Sequence, residues 1–289
     1  MLKVIRLLAT CAIAAVLMSA IASAQTYTTV DYPGAATTTL NGGPNPQGTS
    51  VGSFTDAAGV THGFTLDHHG VFTAFDPPGA TATTPNYITP QGTIVGGYLD
   101  ASGVSHGFVL SGGNYTTIDF PGAAGSQLTG LNPSGEYTGF TCSDPGCTSS
   151  LQSFTLSKQG VFTTFNPPGA ATSQASTINP SGAIVGAYVD NGGTTHGYLL
   201  YHGSYATIDF SGGIFTFCGG NNASGAIVGA WRDTAGTFHS FLLNNGTLTS
   251  FDPPGATNGS DATGINPAGI IVGLYADAAG AVHGFIRTP

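Results

Sequence analysis

Charge is scarce in this chain. Only 7% of its 289 residues are Asp, Glu, Lys or Arg, where soluble globular domains carry about 25%. Five basic side chains are too few for the clustered patch that nucleic-acid binding requires. A protein built on long surface helices is excluded too. Such helices are rich in Glu, Lys and Ala, and no window here has a helical period. Apolar runs long enough to span a bilayer are also missing after the first two dozen residues. What the chain has instead is 45 Gly and 17 Pro, with 40% hydrophobic and 10% aromatic residues. An apolar content that high is unlike a disordered chain. It points to a compact, Gly-rich and Thr-rich all-β protein.

The N-terminus reads as an export signal. Lys3 and Arg6 form a basic head, Leu7 to Ile21 is apolar, and Ala22-Ser23-Ala24 supplies the small–x–small pattern before a cleavage site. Residues 1–24 are therefore expected to be a cleaved signal peptide, and 25–289 a single secreted or periplasmic domain. Cys11 does not mark a lipoprotein, since Thr10 and almost no apolar run precede it. Cleavage leaves three basic side chains (Lys158, Arg232 and Arg287) against fourteen acidic ones, a formal charge of −11. Of the remaining cysteines, Cys142 and Cys147 flank Ser143-Asp144-Pro145-Gly146, a strong turn, and a local disulfide is expected there. Cys218 is expected to be a buried thiol rather than a nucleophile, because no His lies near it in sequence.

Internal repetition is the strongest signal. A turn of PGA type begins at Asp31, Asp76, Asp119, Asn166, Asp209 and Asp252. A Gly-x-x-Val-Gly segment ends at Gly52, Gly96, Gly186, Gly229 and Gly273, with a weaker copy at Gly139. His-Gly-Phe or a close variant starts at His62, His106, His196, His239 and His283, and Gln152 fills the third slot. Residues 25–289 thus divide into six copies of about 44 residues. Each copy parses into four short strands, here named A to D. In the fourth copy A is about 175–179, B is 183–189, C is 196–200 and D is 205–209. Four strands repeated at this period are the signature of propeller blades.

The termini decide closure. Tyr27-Thr28-Thr29-Val30-Asp31 matches strand D of the other copies, and Val282-His283-Gly284-Phe285-Ile286 matches strand C. The spacing therefore predicts a six-bladed β-propeller closed by one N-terminal strand and three C-terminal ones, with no unpaired edge. A monomer is expected.

HGFTL, HGFVL, HGYLL, HSFLL and HGFIR, each downstream of an N-P-x-G-x-I-V-G-type strand pair, resemble the extracellular repeat proteins named for a His-Ala-Phe motif. Here Gly or Ser replaces the middle residue. The resemblance covers the whole chain after the signal. It implies export and repeats, and no shared catalytic activity.

Pairing strands C and D as a hairpin sets His106 opposite Asp119 when Phe108 faces Thr117 and Leu110 faces Tyr115. The same register pairs His62 with Asp76, His196 with Asp209, His239 with Asp252 and, across the closure, His283 with Asp31. In the third copy both members change, to Gln152 and Asn166, as expected of a neutral hydrogen-bonded pair. His and carboxylate suit metal binding or acid–base chemistry, but fivefold recurrence favours a lock that fixes each hairpin. The Asp partners are expected to favour the protonated imidazole. The B–C turn acids Asp56, Asp100, Asp144, Asp190, Asp233 and Asp277 read as ordinary turns. One carboxylate apiece is poor for calcium.

Function should sit in what does not recur: Asp67, Glu136 and Asp261 among the acids, and His68, His69 and His202. The central mouth on the D–A and B–C face, the expected ligand position, offers only Asp261 and Arg232. Trp231 holds the position of Phe54, Tyr98, Tyr188 and Tyr275, so it is expected to be core. No residue earns a catalytic, cofactor-binding or metal-ligating assignment, and no cofactor is implied. The leading expectation is a secreted, non-enzymatic binding or scaffold module that meets an extracellular glycan or protein. The alternatives are a lyase or hydrolase acting at the central mouth, and a calcium-stabilised structural protein.

Overall fold

The computed structural model describes residues 25–289, so the expected signal peptide lies outside the described residues. No helix there is long and apolar enough to cross a membrane. Among the described residues all regular structure is β. Strand β1 is Thr26–Val30. The first repeat supplies β2 (Thr37–Gly42), β3 (Ser50–Thr55), β4 (Thr61–Leu66) and β5 (Phe72–Phe75). The second supplies β6 (Ala82–Ile88), β7 (Ile94–Leu99), β8 (Ser105–Ser111) and β9 (Asn114–Ile118). Next come β10 (Gly125–Leu131), β11 (Tyr137–Cys142), β12 (Gln152–Leu156) and β13 (Phe162–Phe165). The fourth unit holds β14 (Ala170–Ile178), β15 (Ile184–Asp190), β16 (Thr195–Tyr201) and β17 (Ser204–Ile208). The fifth is β18 (Phe215–Asn221), β19 (Ile227–Arg232), β20 (Phe238–Asn244) and β21 (Thr247–Phe251). Last are β22 (Ser260–Ile265), β23 (Ile271–Ala276) and β24 (Val282–Thr288).

Each unit is an antiparallel meander in the order A-B-C-D. The last unit takes its fourth strand from the N-terminus: β1 pairs with β24 from Thr26↔Thr288 to Val30↔Gly284. The first strands touch in sequence, β2 to β6, β10, β14, β18 and β22, and β22 returns to touch β2. At two places the third strand of one unit makes a parallel bridge to the first strand of the next, Thr195↔Phe215 and Val282↔Thr37.

The repeated residues explain why the units pack. In every unit the glycine of strand B, preceded by Val in five units and by Thr138 in the third, lies directly opposite the aromatic of strand C: Gly52↔Phe64, Gly96↔Phe108, Gly139↔Phe154, Gly186↔Tyr198, Gly229↔Phe241 and Gly273↔Phe285. The ring lies over the glycine. A Cβ on Gly229 would sit 1.9 Å from the Phe217 carbonyl oxygen and 2.9 Å from the Phe241 ring. Only glycine fits, and the aromatics become the largest fully buried side chains. Burying each such ring stabilises by about 1.5–3 kcal/mol.

Every A strand carries a bulge at one place, at Asn41, Asn86, Thr129, Ser176, Gly219 or Thr263. A bulge bends the strand and re-aims its side chain. Asn41 Nδ2 donates to the Pro85 carbonyl (2.9 Å), Asn86 Nδ2 to Leu128 (2.8 Å) and Thr263 Oγ1 to Leu40 (2.7 Å), each reaching the next unit.

A second tier lies in the A–B turns. The Asn that opens this turn in four units (Asn45, Asn179, Asn222 and Asn266) accepts two backbone N–H groups from its own turn, and its Nδ2 donates to the corresponding turn of the next unit. Asn45 reaches Thr89, Asn179 reaches Asn222, Asn222 reaches Asn266 and Asn266 reaches Pro44, at 2.9–3.3 Å. Thr89 in the second unit has no amide to continue the chain of links. In the third unit Asn132 instead turns to Glu136 (3.4 Å).

Candidate functional site

The His–Asp register holds in all five units that carry it. Nδ1 lies 2.7–3.0 Å from the partner carboxylate in His62–Asp76, His106–Asp119, His196–Asp209, His239–Asp252 and His283–Asp31. Sequence reasoning missed the second contact. The B–C turn Asp of the same unit approaches Nε2 at 3.4–3.6 Å, from Asp56, Asp100, Asp190, Asp233 and Asp277. The two recurring acid sets therefore converge on one imidazole. The signal was a constant offset: each turn Asp precedes its His by six residues. An aromatic on strand B completes the set. Tyr98, Tyr188, Trp231 and Tyr275 stack on the His rings at 4.9–5.1 Å.

The electrostatics follow from these contacts. The hydrogen bond that His62 donates to Asp76 raises the His62 pKa, and that to Asp31 raises His283. At His106 and His239 burial opposes the charged ring, and the bonds to Asp119 and Asp252 overcome it, so both are also raised. The turn acids move down. Asp56 is lowered first by the Val60 N–H, and Asp144, held by Thr148 and Ser149, falls to about 2. In the five turns that face a His, one carboxylate oxygen accepts backbone N–H and the other faces the imidazole, as Asp56 does with Val60 and His62. That arrangement fastens a turn to a hairpin. Among the described residues, no group of three or more His, Cys, Asp or Glu side chains is placed to hold a metal ion.

The third unit corrects one expectation. Among the described residues no hydrogen bond joins Gln152 to Asn166. Asn166 Oδ1 instead accepts from Ser173 Oγ at 2.6 Å. The same contact to the next unit recurs where the pair is charged, since Asp252 accepts from Ser260 Oγ (2.7 Å) while it also holds His239; in the third unit only this contact remains. Cys142 and Cys147 form the expected disulfide, and Cys218 is a fully buried thiol whose pKa burial pushes up. Trp231 stacks on Phe210 at 4.1 Å and donates to Ser250 Oγ, which is packing, as expected.

Asp261 and Arg232 do not form a site. Arg232 lies over the Phe238 and Phe215 rings at 5.6 and 6.0 Å, and it makes no ion pair with Asp261. One carboxylate oxygen of Asp261 is buried without a hydrogen-bond partner, and burial raises its pKa to about 6.

Four cavities lie on the A–B and C–D face, opposite the face where a ligand is expected. A cavity of about 120 Å³ opens among the A–B turns and is lined by all six units. Pro46, Pro133, Pro180, Ala223 and Pro267 rim it as exposed residues, with Pro90 half-buried. Three clefts on the same face lie between neighbouring units: one and two (about 420 Å³), two and three (about 240 Å³), and four and five (about 230 Å³). None of the residues lining these four cavities carries a formal charge. The A–B and C–D turns share this face because consecutive strands are antiparallel, while the His–Asp sets occupy the other. The non-recurring His68, His69 and His202 sit in C–D turns and so belong to the cavity face. Asp67 caps its own turn through the His69 and Val71 N–H groups.

No family model matches this sequence, and no curated protein matches it. Solved structures do. A putative TolB from Agrobacterium tumefaciens superposes with a TM-score of 0.59 at 15% identity, over 86% of this chain and 89% of that one. The fungal lectin of Aleuria aurantia, described as a six-bladed β-propeller with fucose recognition, gives 0.54 at 11% identity over 89% and 93%. A putative gluconolactonase gives 0.54 at 14% identity over 92% and 93%. At such identities the likeness carries the architecture and nothing about ligand: the chain has a β-propeller fold.

Proposed function

We propose that this chain is a secreted, non-enzymatic six-bladed β-propeller that binds neutral glycans through the A–B and C–D face. The unit count rests on the six meanders, the cyclic contacts of their first strands and the β1–β24 pairing. The His-Gly-Phe strands support placing it near the His-Ala-Phe repeat proteins, and Lys3 to Ala24 supports export. The observation that carries the ligand class is the uncharged lining of the cavities. Amides, hydroxyls and prolines suit polyhydroxylated neutral ligands. A hydrolase or lyase needs a positioned acid or base, and the lining holds no Asp, Glu, His or Lys, only the phenols of Tyr87, Tyr137 and Tyr201.

A glycan array read with the purified mature chain tests this, paired with assays for new reducing ends and unsaturated products. Saturable binding without turnover, unchanged by added salt, is expected. Sugar release, or binding confined to anionic glycans, overturns the proposal.

A further inference from the structure

The cleft between units one and two differs from its counterparts in a way that repetition exposes. The residue after the A–B turn proline is Gln47 in unit one and Gln91 in unit two, whereas the other units have Ser134, Ser181, Ser224 and Ala268 there. The two glutamines line the same cleft. Strand C contributes Thr65, where unit four has Leu199 and unit five Leu242. Thr49 adds a second hydroxyl.

These groups are free. Among the described residues, the side chains of Gln47, Gln91, Thr49 and Thr65 make no hydrogen bond within the protein, whereas most neighbouring Asn side chains are taken up by the links between units. The cleft between units four and five shows the contrast. Its Ser181 and Ser224 hydroxyls already donate to Asn179 and Asn222 of their own turns, at 2.8 and 2.9 Å. Of the three clefts, the first alone combines two unengaged carboxamides with two unengaged hydroxyls; the cleft between units two and three shares Gln91, but its Thr93 hydroxyl is engaged with Ser111 (3.3 Å). Beneath them Ile88 and Ile94 are buried, and Pro90 is half-buried. At the rim, the C–D turn of unit one packs on Gly48: a Cβ there would meet His68 Cβ at 2.8 Å, and His68 lies 3.8 Å from the His69 ring.

We infer that this cleft is the specific subsite for one neutral pyranose residue. A carboxamide both donates and accepts, so each Gln can engage adjacent sugar hydroxyls, while Pro90 and the isoleucines take the C–H face. The volume, about 420 Å³, admits a single ring. The inference rests on the neutral-glycan reading and deepens it by naming the site.

The test uses side-chain amide resonances. The ¹⁵N-labelled mature chain is titrated with the methyl glycosides of glucose, galactose, mannose, fucose and N-acetylglucosamine. At least one glycoside is expected to shift the Gln47 and Gln91 NH₂ signals saturably. Gln91→Ala should weaken that glycoside about tenfold, and Ser102→Ala, in a B–C turn on the opposite face, should leave it unchanged. Both positions are exposed, and matching melting temperatures will show that each variant folds. If a glycoside binds while both glutamine signals stay silent, or binds Gln91→Ala unchanged, the subsite is overturned and the glycan reading stands. If no glycoside shifts any resonance and the array is also blank, both fall.

Discussion

At His62 the imidazole is held between Asp76 on one side and Asp56 on the other, and the pH dependence of stability follows. His62, His106, His239 and His283 all have raised pKa values in the folded chain. Their stabilisation is complete below the unfolded value of 6.5 and fades as pH rises through the folded values. Asp56, Asp100, Asp190, Asp233 and Asp277 are lowered instead, so theirs is present above 3.8 and disappears as acid is added. The melting temperature should therefore fall on the alkaline side of about pH 6.5. Replacing the four histidines by Gln, the residue unit three already has at 152, should flatten that slope. Equal slopes in melting curves from pH 6 to 9, roughly, would remove the lock from the account. Asp261 gives an independent prediction. Its pKa, pushed from 3.8 to about 6 by burial alone, means the charged form is disfavoured by folding, so its cost appears as pH rises through that interval. Asp261→Asn should stabilise by up to about 3 kcal/mol above pH 6 and by nothing below pH 4. Urea titrations at the two extremes measure the difference.

At the scale of the element, the A–B turn is where local and long-range order meet. Asn222 Oδ1 accepts from the Ser224 and Ala226 N–H groups, and its Nδ2 links to the Asn266 carbonyl of the next unit. Asn222→Ala leaves the buried Ala226 N–H unpaired, and with the link to Asn266 also lost it should cost about 3 kcal/mol. Asn222→Thr copies Thr89, whose hydroxyl still accepts the Thr93 N–H (3.1 Å) but makes no link. It should cost about 1 kcal/mol, and the gap between the two midpoints in urea apportions turn from link. If both variants cost the same, the turn bonds are not what Asn222 supplies. These turns also mark the limit of sequence reading. Strand count, register and the His–Asp pairs were legible because they depend on period-2 alternation and repeats. The fourth unit's first strand begins at Ala170, earlier than its expected start near 175, because its bulge and turn residues also pair. The meeting of Asp56 with His62 needs the twist of a B–C hairpin, and the choice of cavity face needs the depth of the turns. Alternation encodes neither. Gln47 and Gln91 passed unnoticed because each reads as one more turn residue until the fold sets their turns side by side.

Closure is a property of the whole molecule. Strand β1 covers the edge of β24, and Val30, 5% exposed, packs with Leu40, Phe64 and Val272, which joins the first unit to the last. The ring thus depends on six residues at one end of the chain meeting seven at the other, Gln25–Val30 against Val282–Thr288. Removing residues 25–30 should do two separable things. It deletes a buried valine and its contacts, a loss of about 2 kcal/mol, and it bares the β24 edge, which carries unpaired N–H and C=O groups ready to pair with another chain. The truncated protein should therefore melt lower and self-associate in size-exclusion chromatography at high concentration. Val30→Ala keeps the strand and loses only the packing, so it should melt lower and stay monomeric. A truncated chain that melts lower yet remains monomeric would mean that β1 contributes packing alone, and that the β24 edge is protected by something other than the closing strand.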